Sequence, residues 1–328
     1  MPLPTLTASS RQYPLKNPFR ISRGVKTHAD TVVVELSDGV CSGFGECTPY
    51  PRYGESIEGV VGELNDIADN QQSFGSIEAV QKALKAGAAR NALDCAVIDF
   101  LAKSSGKSVS ESLSVPLNPV TTAYTLSLDE PSKMFDAATA ASHRPVLKIK
   151  LGGDAGDDER LRAVRQGAPS AKLIVDANEG WTVDKWDDHL RSCLENKVGL
   201  IEQPFPAADD SALDFIKSPI PICADESAHT REGLEVLAKR YDAINIKLDK
   251  TGGLTEALAL KKRAEELGMI IMVGCMVASS LAMAPAIYVA QGASWVDLDG
   301  PLLLAKDCEN PLSFDESIIS PPEPSLWG

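Results

Sequence analysis

A chain of 328 residues with 32 Lys+Arg against 46 Asp+Glu carries a formal charge of −14, which argues against a broad phosphate-binding face and so against nucleic acid as a partner. A hydrophobic share of 44% with 24% charged residues excludes a disordered chain. No stretch approaches the ~20 uninterrupted apolar residues of a membrane span, so a membrane partner is not expected.

The first third reads as mixed α+β. Thr31 to Leu36 (TVVVEL) is a β-branched strand, and Ser37-Asp38-Gly39 is a turn leading to a second strand through Gly43-Phe44-Gly45-Glu46, which makes a hairpin. A Pro/Tyr-rich loop, CTPYPRYGES, follows from Cys47 to Ser56. Helical patterning starts near Ile57 and again at Ala88–Lys103, where Ala89, Leu93, Ala96, Val97 and Phe100 form a stripe at helical spacing.

From about residue 118 short apolar runs recur, each ending in a polar residue and followed by a helical segment. They are Val120–Leu126, Val146–Lys150, Leu173–Asp176, Leu200–Glu202, Pro221–Asp225, Ala243–Lys247, Ile270–Cys275 and Trp295–Asp299. The terminal residues Lys150, Asp176, Glu202, Asp225 and Lys247 are 26, 26, 23 and 22 residues apart, the length of a strand, a helix and two short loops. About eight such units with right-handed crossovers close into a barrel. An open doubly wound sheet is disfavoured, because Gly152-Gly153 after Lys150 is not a Gly-rich phosphate loop. The expected fold is therefore α/β, a (β/α)7β-type TIM barrel behind an N-terminal α+β capping domain. The expected boundaries are 1–115, 116–305, and a tail at 306–328 that returns to the capping domain.

Active sites of such barrels lie at the C-terminal ends of several strands. Lys148 and Lys150 (VLKIK) fall on one side of a strand. Asp176 ends LIVD, Glu202 ends LIE, Asp225 ends PICAD and Lys247 ends INIK. Three acidic residues gathered from successive strands repel one another unless a cation sits between them, and all-oxygen ligands select a hard divalent ion, Mg²⁺. For any one carboxylate a helix cap or a lysine pair is an equal explanation. Lysines on the second and sixth strands stand on opposite sides of the barrel, suiting removal of an α-proton from one face of a metal-bound carboxylate and its return to the other. The metal then stabilises the enediolate. Nearby cations are expected to push the lysine pKa values down.

KIK, VDAN, IEQP, ADES and NIKLDKTGG, in this order, resemble the muconate-lactonizing-enzyme subgroup of the enolase superfamily, a superfamily whose Lys or His base and Mg²⁺ ions are a known pattern. The resemblance implies Asp176, Glu202 and Asp225 as Mg²⁺ ligands, Lys150 and Lys247 as acid/base catalysts, and Lys148 as a neighbour tuning Lys150. Asn178 and Glu226 are implied to support the ligands. Asp297-Leu298-Asp299 is similar to the feature of dipeptide epimerases that receives a free ammonium, an acceptor an N-acylated substrate does not need; a strand-end turn before Gly-Pro competes for Asp299. Lys26, with Arg23 and Arg52 as rivals, matches a basic residue that meets the glutamate side chain of L-Ala-D/L-Glu. Ala278 stands where relatives carry a glutamate.

The implied function is a Mg²⁺-dependent dipeptide epimerase, as in recycling of cell-wall peptides. The alternatives are o-succinylbenzoate synthase, cycloisomerase or N-acylamino acid racemase, with a class I aldolase and a metal-stabilised binding protein as readings of other classes. Seven widely spaced cysteines without CxxC, and no apolar leader in the first twenty residues, suggest a reducing, cytoplasmic setting. The four histidines, Cys223, Cys275, Trp181 and Trp186 read as packing or surface, and Gly252-Gly253 as a close backbone approach. A homo-oligomer is compatible with the sequence.

Overall fold

The computed structural model describes residues 4–69, 74–152 and 156–328, so Gly153 lies outside the described residues. Strands β1 (Thr5–Ile21), β2 (Gly24–Ser37) and β3 (Ser42–Cys47) form one antiparallel sheet. The expected hairpin is the β2–β3 pair; its turn is held by Asp38 Oδ1, which accepts from the backbone N–H of Val40 and Cys41 at 2.9 Å. Sequence patterning gave no sign of β1. It is an edge strand of mostly exposed residues whose register shifts between Pro14 and Phe19, so neither alternation nor β-propensity marks it.

Helices α1 (Ile57–Ala68) and α3 (Ala88–Ser105) pack on this sheet and α2 (Ile77–Ala83) packs on α3, with Ser56 and Ser76 as the N-caps of α1 and α2. Of the α3 stripe, Ala89, Leu93, Ala96 and Val97 are buried and Phe100 is half-buried; most of the helix's other face is buried too, since it also packs against the helical segment after Lys247. Gly45 has a packing reason: a Cβ there would lie 2.0 Å from the Ala92 carbonyl, so only glycine lets β3 approach α3.

A second sheet has eight parallel strands. After the two-residue β4 (Val120–Thr121) come β5 (Tyr124–Leu126), β6 (Val146–Lys150), β7 (Lys172–Asp176), β8 (Val198–Glu202), β9 (Ile222–Ala224), β10 (Ala243–Ile246), β11 (Ile270–Gly274) and β12 (Trp295–Asp297). Each of β5 to β12 pairs with its chain neighbour, and Ala123 N–H donates to the Val296 carbonyl at 2.7 Å, joining last strand to first. This is the expected barrel. Two local expectations change. The run Val120–Leu126 splits, because β4 pairs antiparallel with β14 (Ile318–Ile319), which is itself paired with β13 (Phe314–Asp315). Between β8 and β9 two 3₁₀ turns replace a helix, in a segment bracketed by Pro204, Pro206, Pro219 and Pro221.

The last residues reach the capping elements: Trp327 Nε1 donates to the Cys95 carbonyl and Gly328 N–H to Asp99 Oδ1. The seven cysteines are free thiols. Among the described residues no helix is long and apolar enough to cross a membrane.

Candidate active site

Strand alternation builds the site. Ile174, Leu200, Cys223, Ala243 and Met272 form an apolar floor inside the barrel. Two residues further along their strands, on the same side, stand Asp176, Glu202, Asp225 and Asn245, with Lys148 and Lys150 contributed by β6. Cys223 is thus a small core residue, and burial pushes its thiol well up.

Asp176, Glu202 and Asp225 are buried, and one oxygen from each lies within 4.8 Å of the others. Lysines reach into this cluster. Lys148 Nζ lies 2.7 Å from Glu202 Oε2, 2.8 Å from Asp297 Oδ2 and 3.3 Å from Asp176 Oδ2. Lys150 Nζ is 2.5 Å from Asp176 Oδ2, and Lys247 Nζ is 2.6 Å from Asp225 Oδ2. Burial works to raise the Asp176 carboxyl, but Lys150 and Lys148 outweigh it and hold it at about 2. Burial opposes ionisation of Asp225 too, and Lys247 with Lys250 overcomes it, keeping that carboxyl well below the usual range. Glu202 is pushed up to about 8, first by burial and then by the Asp176 charge. The expectation that cationic neighbours depress the lysines does not hold for Lys247: burial lowers its ammonium, yet Asp225 outweighs this and leaves it well above the ordinary value.

Three converging carboxylates, all oxygen donors, fit a hard divalent cation such as Mg²⁺. Glu202 Oε2 supports the fit: it is buried, and its close approach to Lys148 lacks hydrogen-bond alignment.

A cavity of about 530 Å³ opens over the cluster. Lys150, Lys247, Asp225, Asn178, Glu226, Thr125, Asp297 and Asp299 line it from the barrel, while Phe19, Ile21, Arg23, Lys26, Tyr50, Arg52 and Tyr53 line it from the first domain. Thr125 holds both late-strand carboxylates: its N–H donates to Asp299 Oδ2 at 2.6 Å and its hydroxyl to Asp297 Oδ1 at 3.3 Å. Asp299 is pushed up to about 7, by burial first and then by Asp297. Its turn-residue role is therefore joined by a place in the cavity wall.

The three basic candidates separate. Arg23 reaches Glu226 at 2.7 Å, Glu179 at 3.2 Å and the Asn178 carbonyl at 2.9 Å. Arg52 grips Glu179 through two nitrogens, at 2.6 and 2.9 Å. Lys26, on the first turn-proximal residues of β2 rather than in a loop, has no ion-pair partner among the described residues, and its ammonium sits 5.4 Å from the Tyr50 ring centre. Asn178 and Glu226 each keep one buried oxygen without a hydrogen bond. Ala278 is buried beside Gly300, just past the lining residues Cys275, Met276 and Val277. His28 is exposed on β2, while His189 stacks on Trp181, which also meets Trp186 edge-on.

Sequence reading missed two polar residues at the cluster. Lys250, fully buried, donates to Asp225 Oδ1 and to the carbonyls of Asp225 and Asn245. Asn245 Nδ2 donates to Glu202 Oε1 at 2.8 Å. Asn245 was within reach of alternation, since it precedes Lys247 by two. Gly252 and Gly253 do make a close approach: Asp94 of α3 occupies the space a Gly253 side chain would need, and caps Thr255 through its N–H and hydroxyl.

A carboxylate cluster flanked by lysines at the mouth of a capped barrel defines a class of enzyme. Residues 133–324 match the family described as Enolase C-terminal domain-like, and residues 5–113 match Mandelate racemase / muconate lactonizing enzyme, N-terminal domain. The chain belongs to this branch of the enolase superfamily. The L-Ala-D/L-Glu epimerase of Escherichia coli K12 is 43% identical over 313 residues, 94% of this chain and 97% of that protein. The N-acetyl-D-glutamate racemase of a Pseudoalteromonas species is also 43% identical, covering 90% of this chain and 95% of its own. A crystal structure of an enolase family member from Agrobacterium tumefaciens with homology to dipeptide epimerases, holding sodium and L-Ala-L-Glu, is 52% identical with a TM-score of 0.97 over 99% of this chain and 100% of that one. The dipeptide epimerase of Cytophaga hutchinsonii, complexed with Mg and D-Ala-L-Val, superposes with a TM-score of 0.91 at 29% identity, over 99% and 95% of the two chains.

Proposed function

We propose that the chain is a Mg²⁺-dependent dipeptide epimerase that inverts the α-carbon of the C-terminal residue, with L-Ala-D/L-Glu as its substrate. The observation that carries this is one cavity lined by Lys150, Lys247, Asp297 and Asp299 above three converging carboxylates. Strands β6 and β10 are four apart in a closed ring of eight, so the two lysines reach the cavity from opposite walls. One lysine, in its neutral form, removes the α-proton from one face, and the other, as the ammonium, delivers a proton to the opposite face. The roles exchange with the direction of the reaction. Asp176 and Asp225 hold the two ammonium groups in place before substrate enters. Asp176, Glu202 and Asp225 would hold a divalent ion, which when bound would supply positive charge against the negative charge that builds on the substrate carboxylate. Thr125 aims Asp297 and Asp299 at the dipeptide's ammonium, and Lys26, without a carboxylate partner among the described residues, meets the acidic side chain.

The same reading assigns residues 1–115 to a domain that closes the site, 116–305 to the catalytic barrel and 306–328 to a returning segment. The free thiols suit a reducing compartment.

One observation favours a second reading, racemisation of N-acylated glutamate. Asp297 already has an ammonium partner in Lys148, at 2.8 Å, so a neutral acyl group faces less negative charge than the Asp-x-Asp pair alone suggests. Proton NMR in D₂O with Mg²⁺ separates the two. Loss of the α-proton signal of the C-terminal residue, fastest for Ala-Glu and slow for N-acetylglutamate, is expected. The reverse order transfers the assignment to the racemase, and no exchange with either compound overturns both.

A further inference from the structure

The three carboxylates of the cluster share a pattern. Each has one oxygen committed to a buried donor of this chain: Asp176 Oδ1 accepts from the Asn178 N–H at 2.9 Å, Glu202 Oε1 from Asn245 Nδ2 at 2.8 Å, and Asp225 Oδ1 from Lys250 Nζ. The remaining oxygens, Asp176 Oδ2, Glu202 Oε2 and Asp225 Oδ2, are those approached by Lys148, Lys150 and Lys247. The pinning donors are themselves locked. Lys250 is 1% exposed and spends its other hydrogens on two backbone carbonyls, and Asn245 is fully buried with its side chain against Gly274.

A carboxylate with one oxygen hydrogen-bonded to a buried donor is fixed in orientation, with a lone pair of that oxygen spent, and so is biased toward offering a cation its other oxygen alone. Ca²⁺ takes six to eight oxygens, often two from one carboxylate, in flexible geometry, whereas Mg²⁺ is small and content with single oxygens and water. We propose that Lys250 and Asn245 are positioning residues that set the cation preference of the site, by keeping Asp225 and Glu202 single-oxygen ligands and so favouring Mg²⁺ over Ca²⁺. This rests on the reading that the cluster holds a divalent ion. Charge alone predicts something else: removing the Lys250 ammonium would tighten binding of both ions alike.

The test is a titration of the purified full-length protein with Mn²⁺, followed by EPR, with Mg²⁺ and Ca²⁺ as competitors, on the wild type, Lys250→Met, Lys250→Arg and Asn245→Leu. The ratio of Ca²⁺ to Mg²⁺ dissociation constants is expected to fall about tenfold or more in Lys250→Met and in Asn245→Leu, and to stay near wild type in Lys250→Arg, whose guanidinium still donates to Asp225. Circular dichroism establishes that each variant is folded, and the Asn245 variant keeps the proposal open to refutation where the Lys250 variant is not. An unchanged ratio in the folded variants, including equal weakening or equal tightening of both ions, overturns the proposal. Absence of Mn²⁺ binding by the wild type overturns the metal reading instead.

Discussion

Lys150 and Lys247 hold equivalent ion pairs with different carboxylates, 2.5 Å to Asp176 and 2.6 Å to Asp225, and the proposed epimerisation assigns each of them to one face of the substrate. Under that proposal, replacement of either by alanine removes the acid or base assigned to its face. Epimerisation is expected to fall by at least ~10³-fold in both Lys150→Ala and Lys247→Ala, in keeping with general acid–base contributions of ~10²–10⁴ plus the disturbed carboxylate. A single-face distinction should survive: one variant is expected to exchange the α-proton of only the L,L dipeptide with D₂O, the other of only the L,D dipeptide. Stereospecific NMR exchange checks this, and a variant that epimerises at the wild-type rate removes its lysine from the mechanism. At this scale the site was largely legible, because alternation puts Asp176, Glu202 and Asp225 two positions beyond the floor residues Ile174, Leu200 and Cys223, and Lys150 two beyond Lys148. Lys250 was not. It lies in the short helix Leu248–Thr251, and only the turn that folds it back beneath Asp225 brings its ammonium to the cluster.

Elements from both domains meet at the cavity rim. Arg23 and Arg52 from the first domain converge on Glu179 and Glu226, which follow β7 and β9, a grouping across more than 100 residues that no local pattern can announce. The backbone there is unusual: Asn178 and Glu179 both have left-handed φ values, 47° and 66°, and the Asn178 carbonyl accepts from Arg23. A second junction joins α3 to the helix Leu254–Glu266 at Gly253, whose φ is 111° and where a Cβ would stand 2.4 Å from Asp94 Oδ2. Gly253→Ala therefore combines a strained backbone with a clash against a helix-capping carboxylate. A loss of about 2–4 kcal/mol is expected from urea unfolding. A change under about 0.5 kcal/mol would mean that Asp94 gives way freely and that the glycine is not required. The double glycine was readable as a close approach, but its partner on α3 was not, since nothing in the sequence pairs residues 94 and 253.

At the scale of the whole molecule, one of the links between β3 and the barrel is a buried carboxylate. Glu46 of β3 accepts from the Ser279 N–H at 3.1 Å and from the Ser279 hydroxyl at the start of the helix Ser280–Ala290, and burial, partly offset by these bonds, pushes its carboxyl from 4.5 up to about 7. A carboxyl raised in the folded state stabilises the fold most below its unfolded value. That contribution fades as pH rises from about 4.5 through about 7 and is constant above it. Glu46→Gln should therefore be more stable than wild type at pH 8 and lose that advantage at pH 5, as read by urea denaturation at the two pH values. An advantage of equal size at both would show that ionisation of Glu46 plays no part. The overall architecture was legible from the recurrence of strand-end residues. The edge strand β1 and the split of the first barrel run were not: β1 is a mostly exposed edge strand with a register shift and so lacks alternation, and β4 depends on β14, almost 200 residues away.

Lys148 touches three carboxylates from three strands at once, at 2.7 to 3.3 Å. Together with Lys150, Lys247 and Lys250 it gives the barrel mouth its own counterions. Much of the cluster's self-repulsion is thereby offset within the chain, the raised Glu202 carboxyl being what remains of it, so the barrel is expected to close around these side chains first and be loaded afterwards. Folding and activation are expected to be separable events in such a chain, with the fold persisting in EDTA, in contrast to small domains whose structure collapses when a chelator takes their metal.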